Sequence, residues 1–161
     1  MPVGPDTHGY RRDLPHLEKS GKTYFVTFCT RARIILSPSA RTIALECCIH
    51  DHQVTYWLHC AVVMPDHAHL LFTAFAQWSL ATINGRVKGV SSHLINKRLQ
   101  RHGHLWQHES FDRILRTDES IRKTSEYICE NPVRAGLVAH ADAYQWLWRE
   151  WIEGKNSASA S

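Results

Sequence analysis

The chain has 161 residues, of which 43% are hydrophobic and 21% are charged, and its formal net charge is +4. This length suits one domain with a single core, and the composition excludes a disordered or fibrous protein. The modest positive charge favours a polyanionic partner without requiring one.

Five cysteines and twelve histidines set further limits. The cysteine number is odd and the sequence has no C-x-x-C pair, which argues against a disulfide framework and against a zinc ribbon. No run approaches the ~18 apolar residues of a membrane span, and residues 1–16 lack the apolar segment of a signal peptide. We therefore expect a cytoplasmic protein with reduced, mostly buried thiols.

Three segments are expected along the chain. Residues 1–20 are loop-like and carry Arg11 and Arg12, which predicts a basic N-terminal arm. Residues 21–153 contain the periodic patterns of one compact domain, and residues 154–161 are too small and polar to pack. The last segment is therefore predicted to be a disordered tail.

Strand and helix signals alternate in the first half of the domain. Residues 24–30 are rich in β-branched and aromatic side chains and predict a strand. Ser37 begins a helix-start signal, and residues 40–50 follow with apolar side chains at helical spacing. Strands are predicted over residues 55–64 and 67–74, with a break between them that indicates a hairpin.

Two helices and a strand are predicted in the second half. Ser79 caps a long helix that a His-Gly turn closes, and residues 111–116 form a fourth strand. Asp118 caps a third helix over residues 119–131, which Pro132 ends. The resulting order β-α-β-β-α-β-α is that of an α+β, ferredoxin-like βαββαβ fold, in which an antiparallel sheet has helices on one face plus a C-terminal helix.

Three His-x-His pairs are candidate metal ligands: His50/His52, His67/His69 and His102/His104. Only the second pair lies on a predicted strand, where residues two apart point to the same face and both imidazoles can reach one ion. The first pair lies at a helix end, where its members diverge, and the third flanks a glycine in a turn. The strand spacing also fits two polar residues on the solvated face of an ordinary hairpin, so spacing alone leaves both interpretations open.

The last predicted helix offers further residues for such a site. Tyr127 and Asn131 are four residues apart and share a face, and Glu130 lies one step off it. The amide oxygen of Asn131 suits a hard divalent ion. Tyr127 taken alone is more often a packing residue than a nucleophile, but a metal ion that polarises a phosphoryl oxygen would make its attack feasible.

Three separated motifs stand in order along the chain: residues 64–71 (MPDHAHLL), 105–107 (LWQ) and 127–138 (YICENPVRAGLV). Together with residues 14–16 (LPH) and 24–28 (YFVTF), they resemble the single-tyrosine HUH transposases of insertion sequences, and within them the REP-associated tyrosine transposases. The resemblance covers most of residues 10–150. Residues 144–148 (YQWLW) depart from it, because serines often follow the tryptophan in the family.

The resemblance implies a site and a reaction. His67 and His69 would be paired ligands of Mg²⁺ or Mn²⁺ with Asn131 as the third ligand, although the softness of two imidazoles also suits Mn²⁺ or Zn²⁺. Tyr127 would attack a backbone phosphate of single-stranded DNA, forming a 5′-phosphotyrosine and freeing a 3′-hydroxyl that can later reverse the step. The implied partner is single-stranded or hairpin DNA of the REP type, and this branch favours a monomer over a homodimer.

Basic side chains are expected to make sequence-independent, salt-sensitive contacts to DNA phosphates. Two of them open the helix after the histidine hairpin, and two others lie one turn before Tyr127. The full set is Arg11, Arg12, Arg86, Lys88, Lys97, Arg98, Arg101, Arg113, Arg116, Arg122, Lys123 and Arg134. Trp106 and Trp146 are the predicted platforms on which unpaired bases would stack.

Two other functions fit the same sequence. A non-catalytic nucleic-acid-binding module is one, because ferredoxin-like sheets often present aromatic side chains to RNA, but it would not need His67, His69 and Tyr127 together. A metal-dependent hydrolase that uses water is the other, with Glu130 or Asp66 as its base. Such a hydrolase would release free DNA ends, whereas a tyrosine nucleophile would leave a protein-linked strand.

Overall fold

The computed structural model describes residues 21–150. The predicted N-terminal arm with Arg11 and Arg12, residues 151–153 and the predicted tail lie outside this range. The described part contains, in chain order, β1 (Thr23–Cys29), α1 (Pro38–His50), β2 (Tyr56–Val63), β3 (His67–Ala74), α2 (Leu80–Leu99), β4 (Phe111–Leu115), α3 (Asp118–Arg134) and β5 (Leu147–Arg149), with short 3-10 turns at Arg31–Arg33 and Ala141–Ala143. None of these helices is long and apolar enough to cross a membrane.

The five strands form one antiparallel sheet in the order β4-β1-β3-β2-β5. β3 is the central strand, and β4 and β5 form the two edges. The predicted α+β class and ferredoxin-like antiparallel sheet are thus confirmed, with α1 and α2 on one face. The predicted additional helix, α3, lies on the other face.

The sheet separates two cores, because consecutive strand residues point to opposite faces. Leu70 and Phe72 of β3 pack with buried residues of α1 and α2. Leu71, which lies between them, packs with Ile121 and Ile128 of α3. We call the two sides of the sheet the α1/α2 face and the α3 face, and odd-numbered residues of β3 belong to the α3 face.

Hydroxyl side chains begin the three helices. Ser37 and Ser79 accept hydrogen bonds from amides three residues further on, as expected of helix caps. The start of α3 differs from the prediction, since its cap is Thr117 and not Asp118. Thr117 and Ser120 each accept a bond from the other's backbone amide, so two otherwise unpaired N–H groups are satisfied together.

Pro132 does not end α3, contrary to the prediction, and the helix continues to Arg134. Pro132 is buried within the last turn, where its missing N–H removes a single helical hydrogen bond. The chain leaves the helix at Gly136, whose φ of +74° is a left-handed conformation that glycine adopts without strain. The extra residues of helix bring Arg134 back beside Tyr127.

The strand β5 is an addition that the sequence pattern does not predict. It pairs with Cys60 to Val62 of β2, and the bond from Val63 N to Trp146 O extends the contact. A strand of three residues is too short for alternation to signal it. The segment that departs from the family pattern, residues 144–148, therefore runs into an edge of the sheet.

Candidate functional site

His67 and His69 lie together on the α3 face, at the first residues of the central strand. Their ring centroids are 4.8 Å apart. His69 is 7% exposed and stands opposite Thr27 of β1, whereas His67 is partly exposed and stands opposite Cys29. The period of two along a strand thus brings both imidazoles to one place on the sheet.

Each imidazole has an oxygen partner at its Nδ1 atom. His67 Nδ1 lies 2.7 Å from an Asp66 carboxylate oxygen, and His69 Nδ1 lies 2.8 Å from the Thr27 hydroxyl. When each Nδ1–H donates to its oxygen, the Nε2 atom of each ring keeps its lone pair for a metal ion. Histidines that ligate metals are commonly oriented by an oxygen partner of this kind.

Burial keeps His69 neutral. Burial in the first place, and then the charges of His67 and Arg134, lower the pKa of His69 from 6.5 to about 3. A ring that is unprotonated at neutral pH can donate its lone pair to a cation without first losing a proton. The protonation state of His69 therefore suits a metal ligand.

Tyr127 stands beside His69 and remains open to solvent. Its ring centroid is 6.0 Å from that of His69 and 6.2 Å from that of Phe25, and the residue is 48% exposed. The buried stripe of α3 runs through Thr124 and Ile128, and Tyr127 lies at its border. The ring is held against the histidine while the residue stays accessible.

Arg134 stacks on Tyr127. Its guanidinium carbon is 4.1 Å from the ring centroid, and its Nη2 donates a 2.7 Å hydrogen bond to the Tyr127 carbonyl. A guanidinium over an aromatic ring is attracted by the negative face of the ring. The contact places a positive charge next to the phenol and ties the end of α3 to the turn that carries it.

Asn131 lies one turn after Tyr127 on the same side of α3. Its amide nitrogen Nδ2 is buried and has no hydrogen-bond partner within residues 21–150. An unpaired buried amide costs about 1–3 kcal/mol, so such a group usually has a ligand or a water molecule as its partner. Because rotation of the amide exchanges its nitrogen and oxygen, Asn131 can present an oxygen ligand here.

The donor atoms of this region suit a divalent ion with open coordination positions. Within the described range, no group of three or more His, Cys, Asp or Glu side chains is arranged to hold a metal ion. A site here would consist of two neutral imidazoles and the amide oxygen of Asn131, with room for water or a phosphate oxygen. These residues fit the ion that the family resemblance implies.

The two carboxylates considered as bases of a hydrolase have other surroundings. Asp66 contacts His67 and also Arg33, whose Nε lies 3.1 Å from its second oxygen. Glu130 is exposed and lies one step off the side of α3 that carries Tyr127. Asp66 therefore serves as the partner of a histidine, and Glu130 faces solvent.

Several of the predicted DNA-contacting residues are bound by other residues of the chain, among them two on α2 and two on α3. Arg86 donates two 3.2 Å hydrogen bonds to the Asp51 carboxylate. Lys88 donates to two backbone oxygens and a serine hydroxyl in the loop before β4. Arg122 and Lys123 form exposed ion pairs with glutamates one turn away on α3. The contacts of Arg86 and Lys88 connect separate segments of the fold. The exposed ion pairs on α3 are weak, so their arginine and lysine can exchange a glutamate for a phosphate.

The other predicted contacts within the described range form two groups. The first lies near the C-terminal end of α2, on the α1/α2 face: Lys97, Arg98 and Arg101. The second lies on β4, just after it, or against the tyrosine: Arg113, Arg116 and Arg134. Cations therefore occur on both faces of the sheet, and Arg134 belongs to the candidate site itself.

The two tryptophans predicted to stack on bases are occupied by protein groups. Trp106 is 5% exposed and donates its Nε1–H to the Ser91 hydroxyl. Trp146 is partly buried, with the Arg41 guanidinium 4.6 Å from its ring centroid and its Nε1–H donating to Thr42. The prediction is wrong for Trp106 because the core encloses it, and Arg41 already covers Trp146.

Two residues of β1 complete the site without having been singled out from the sequence. Thr27 holds the ring of His69, and Phe25 stacks on that ring with centroids 5.4 Å apart. Phe25 also contacts the edge of Tyr127. Alternation along β1 places residues 25 and 27 on one face, but their partners depend on the register between strands.

Residues 21–131 match the protein family described as "Transposase IS200 like". A solved structure of a REP-associated tyrosine transposase bound to a REP hairpin shares the fold, with a TM-score of 0.68 and 21% sequence identity over 80% of this chain and 76% of that chain. A solved structure of a candidate transposase from Deinococcus radiodurans R1 has a TM-score of 0.47 and 19% identity over 69% of this chain and 90% of that one. None of the curated proteins compared with the sequence matches it. The matched region includes both histidines of β3, Tyr127 and Asn131.

Proposed function

This chain belongs to the family of IS200-like transposases, and we propose that it cleaves and rejoins single-stranded DNA with Tyr127 as the nucleophile. The observation that carries the proposal is the position of Tyr127, whose ring centroid lies 6.0 Å from that of His69. A half-exposed tyrosine contributes little to the core, but at this place it would meet a phosphate bound at the two histidines.

The proposed substrate is single-stranded DNA that folds as a hairpin. The REP-associated tyrosine transposase that shares this fold is bound to a REP hairpin, and we extend that kind of partner to the present chain. Exposed cations near Tyr127, along β4 and on α2 support binding to phosphates. The alternative of a binding module without catalysis would leave the grouping of His67, His69 and Tyr127 unexplained.

We propose that the Nε2 atoms of His67 and His69 bind a divalent ion, Mg²⁺ or Mn²⁺, with Asn131 as a third ligand. When bound, such an ion neutralises negative charge on a phosphoryl oxygen and orients the phosphate. By accepting from the Nδ1–H groups, Asp66 and Thr27 would hold the two rings in the tautomer that ligation needs. The unpaired amide of Asn131 supports its place in this set.

Tyr127 supplies the attacking oxygen. Its phenol oxygen bonds to phosphorus as the bond from phosphorus to the 3′ oxygen breaks, which leaves a 5′-phosphotyrosine. The phenol proton passes to solvent, and the departing 3′ oxygen takes up a proton and becomes a hydroxyl. Arg134 holds a positive charge against the ring during this transfer. Because the covalent link keeps the phosphodiester energy, a 3′-hydroxyl can reverse the step without ATP.

The proposed active unit is a single chain. The ring of His69 lies against the rings of both His67 and Tyr127 of the same chain, so the proposed catalytic set needs no residue from a second copy. This supports a monomer over a dimer in which each chain would place its α3, with Tyr127, at the histidines of the other chain. Sedimentation of the protein with hairpin DNA should therefore give the mass of one chain and one hairpin.

The test of the proposal is the formation of a protein-linked DNA strand. Wild-type protein is incubated with single-stranded hairpin DNA labelled at its 3′ end and Mg²⁺ or Mn²⁺, and the products are separated on a denaturing gel. We expect a labelled band at the mass of the protein plus the attached strand, and none with Tyr127→Phe or with the same sequence as a full duplex. Tyr127→Phe should still bind the hairpin.

Two outcomes would contradict the proposal. Free labelled ends without a protein-linked band would indicate a hydrolase that activates water. Tight binding of the hairpin with no cleavage under any metal condition would indicate the non-catalytic binding module.

A further inference from the structure

Phe111 is the most exposed large hydrophobic residue in the described part of the chain, at 68% exposure. It lies at the start of β4, which forms one edge of the sheet. An aromatic ring left in water contributes nothing to the core, and its flat face is a natural surface for another flat apolar group.

The strand register connects Phe111 to the candidate active site. Phe111 stands opposite Thr27 of β1, and Thr27 stands opposite His69 of β3. The row Phe111–Thr27–His69 therefore crosses three adjacent strands, so two strand spacings, or about 10 Å, separate its ends. Three stacked nucleotides span that distance at roughly 3.4 Å each, and fewer do so if the strand is extended.

Alternation along β4 places Phe111 on the α3 face. Leu115 packs in the core beneath α3, and the guanidinium carbon of Arg113 lies 5.7 Å from the ring centroid of Phe25. Residues 111, 113 and 115 share one face, whereas Asp112 lines a cavity against α2 on the other. Phe111 and the exposed Arg113 are thus neighbours on the face that carries His69 and Tyr127.

We propose that Phe111 is a platform on which an unpaired base stacks, next to the phosphate that Tyr127 attacks, and that Arg113 binds the backbone phosphate beside that base. This inference rests on the proposed function, because it names how the substrate of the same site is held. An aromatic ring beside a cation is the combination that binds single-stranded DNA without reading its sequence. Phe111 is then a positioning residue, and base identity at this place has little effect.

A nucleic-acid base fits this place better than a protein partner. Protein interfaces need a contiguous apolar patch, whereas the exposed ring of Phe111 is followed by the exposed, charged residues Asp112 and Arg113. The Phe111 ring and the Arg113 guanidinium, two residues further along the strand, offer one site for a base and one for a neighbouring phosphate of the same DNA strand. Phe111 is also only two strand spacings from His69, so a base stacked on Phe111 and a phosphate bound at His69 can belong to the same DNA strand.

The experiment uses the full chain with Tyr127→Phe, so that binding is measured without cleavage. Single-stranded hairpin DNA carries 2-aminopurine at one unpaired position at a time, because the fluorescence of this base is quenched when it stacks. We expect strong quenching at one or two positions beside the cleavage site. Phe111→Ala should abolish that quenching and weaken hairpin binding by about 5- to 150-fold.

Three further variants separate stacking from other causes. Phe111→Trp should keep both quenching and affinity, whereas Phe111→Leu, which is apolar but has no aromatic face, should behave like Phe111→Ala. Val54→Ala is the matched control, since Val54 is 46% exposed near the opposite end of the sheet, and it should bind as wild type. In the active chain, Phe111→Ala should raise KM and leave kcat at saturating DNA unchanged.

The proposal is overturned if Phe111→Ala binds within about twofold of wild type, or if quenching at every position survives that substitution. It is also overturned if Phe111→Leu retains full quenching and affinity, because apolar contact would then suffice. Failure of the proposed function is a separate result: wild type would form no protein-linked strand, while the quenching series would still report whether a base stacks on Phe111.

Discussion

The two faces of the sheet differ in what they carry, and the central strand β3 contributes side chains to both. On the α1/α2 face, Ala68, Leu70 and Phe72 are buried beneath two helices. On the α3 face a single helix covers part of the sheet, and His67 and His69 stand where that cover ends. A sheet with one thinly covered face leaves room for reactive groups that a fully enclosed sheet would not admit.

This difference shows how a rigid support is built for a reactive pair. The residues that alternate with the histidines fill a close-packed core, so the backbone that carries the imidazoles is fixed from the opposite side. Asp66 and Thr27 then set the orientation of the rings. Substitution of the histidines on the α3 face should therefore reduce activity at little cost in stability, and substitution of the buried β3 residues on the α1/α2 face should do the reverse.

The largest effect is expected from His67→Ala or His69→Ala, each of which removes one of the few proposed metal ligands. Metal-dependent formation of protein-linked DNA should fall by at least about 100-fold. Adduct yield at saturating hairpin DNA is the measurement. His50→Ala and His102→Ala, from the other two His-x-His pairs, are matched controls that should react normally. Equal loss in all four variants would place the metal elsewhere and remove the chemical distinction between the two faces.

The second effect is on stability and comes from the opposite face. Phe72 is fully buried and stacks on Tyr56 with ring centroids 4.6 Å apart. Phe72→Ala leaves a cavity and should lower the free energy of unfolding by about 3–5 kcal/mol. Urea unfolding of this variant is compared with that of His67→Ala, which should lie within about 1 kcal/mol of wild type. Similar losses in both variants would show that the α3 face is equally structural.

Asn131→Ala should have a smaller effect, on metal affinity rather than on chemistry. We expect the metal concentration for half-maximal adduct formation to rise about tenfold, with activity returning at high metal because water can replace an amide oxygen. Asn84→Ala is the control, since Asn84 of α2 also has a buried amide atom without a protein partner but lies on the α1/α2 face. A metal titration identical to wild type would exclude Asn131 from the site.

A last effect concerns the stability of the metal-free protein in acid. The pKa of His69 is about 3 in the folded chain against an ordinary 6.5, so between these values the unfolded chain binds a proton that the folded chain does not. Above pH 6.5 this group leaves stability unchanged, and as the pH falls to 5 it lowers the free energy of unfolding by roughly 2 kcal/mol. Urea unfolding at pH 7 and pH 5 with a chelator present is the measurement. The loss between the two pH values should be smaller by about that amount in His69→Gln, and an identical loss would contradict the neutral state of His69.

Local sequence signals are sufficient to predict the strand that carries the histidines. The predicted bounds of β3, residues 67–74, agree with the observed strand because alternation and the Pro65 break both act within a few residues. The contact between that strand and Tyr127 could not be predicted from local signals. Only the family motifs indicated it, since no periodicity relates residues so far apart in the chain.

Features that depend on pairing between distant segments could not be predicted. Thr27 and His69 are 42 residues apart, and their hydrogen bond follows from the register of β1 against β3. Phe111 became notable only when β4 proved to be an edge strand. Lys88 is predicted from the sequence to contact DNA phosphates, but the loop before β4 folds back onto its ammonium group. In each case the tertiary contact decides the role of a residue that is locally ambiguous.

The attachment of α3 to the two edges of the sheet has a mechanical consequence. The helix follows β4 at one edge of the sheet and precedes β5 at the other. The chain therefore crosses the α3 face and is paired to the sheet on both sides of that crossing. In the proposed reaction, a pull on a DNA strand joined to Tyr127 would be transmitted along α3 to the strands at both of its ends. Each pairing is a ladder of backbone hydrogen bonds, with β1 on one side and with β2 on the other. The proposed intermediate would therefore share such tension between two strand pairings, which would keep the tyrosine beside the histidines.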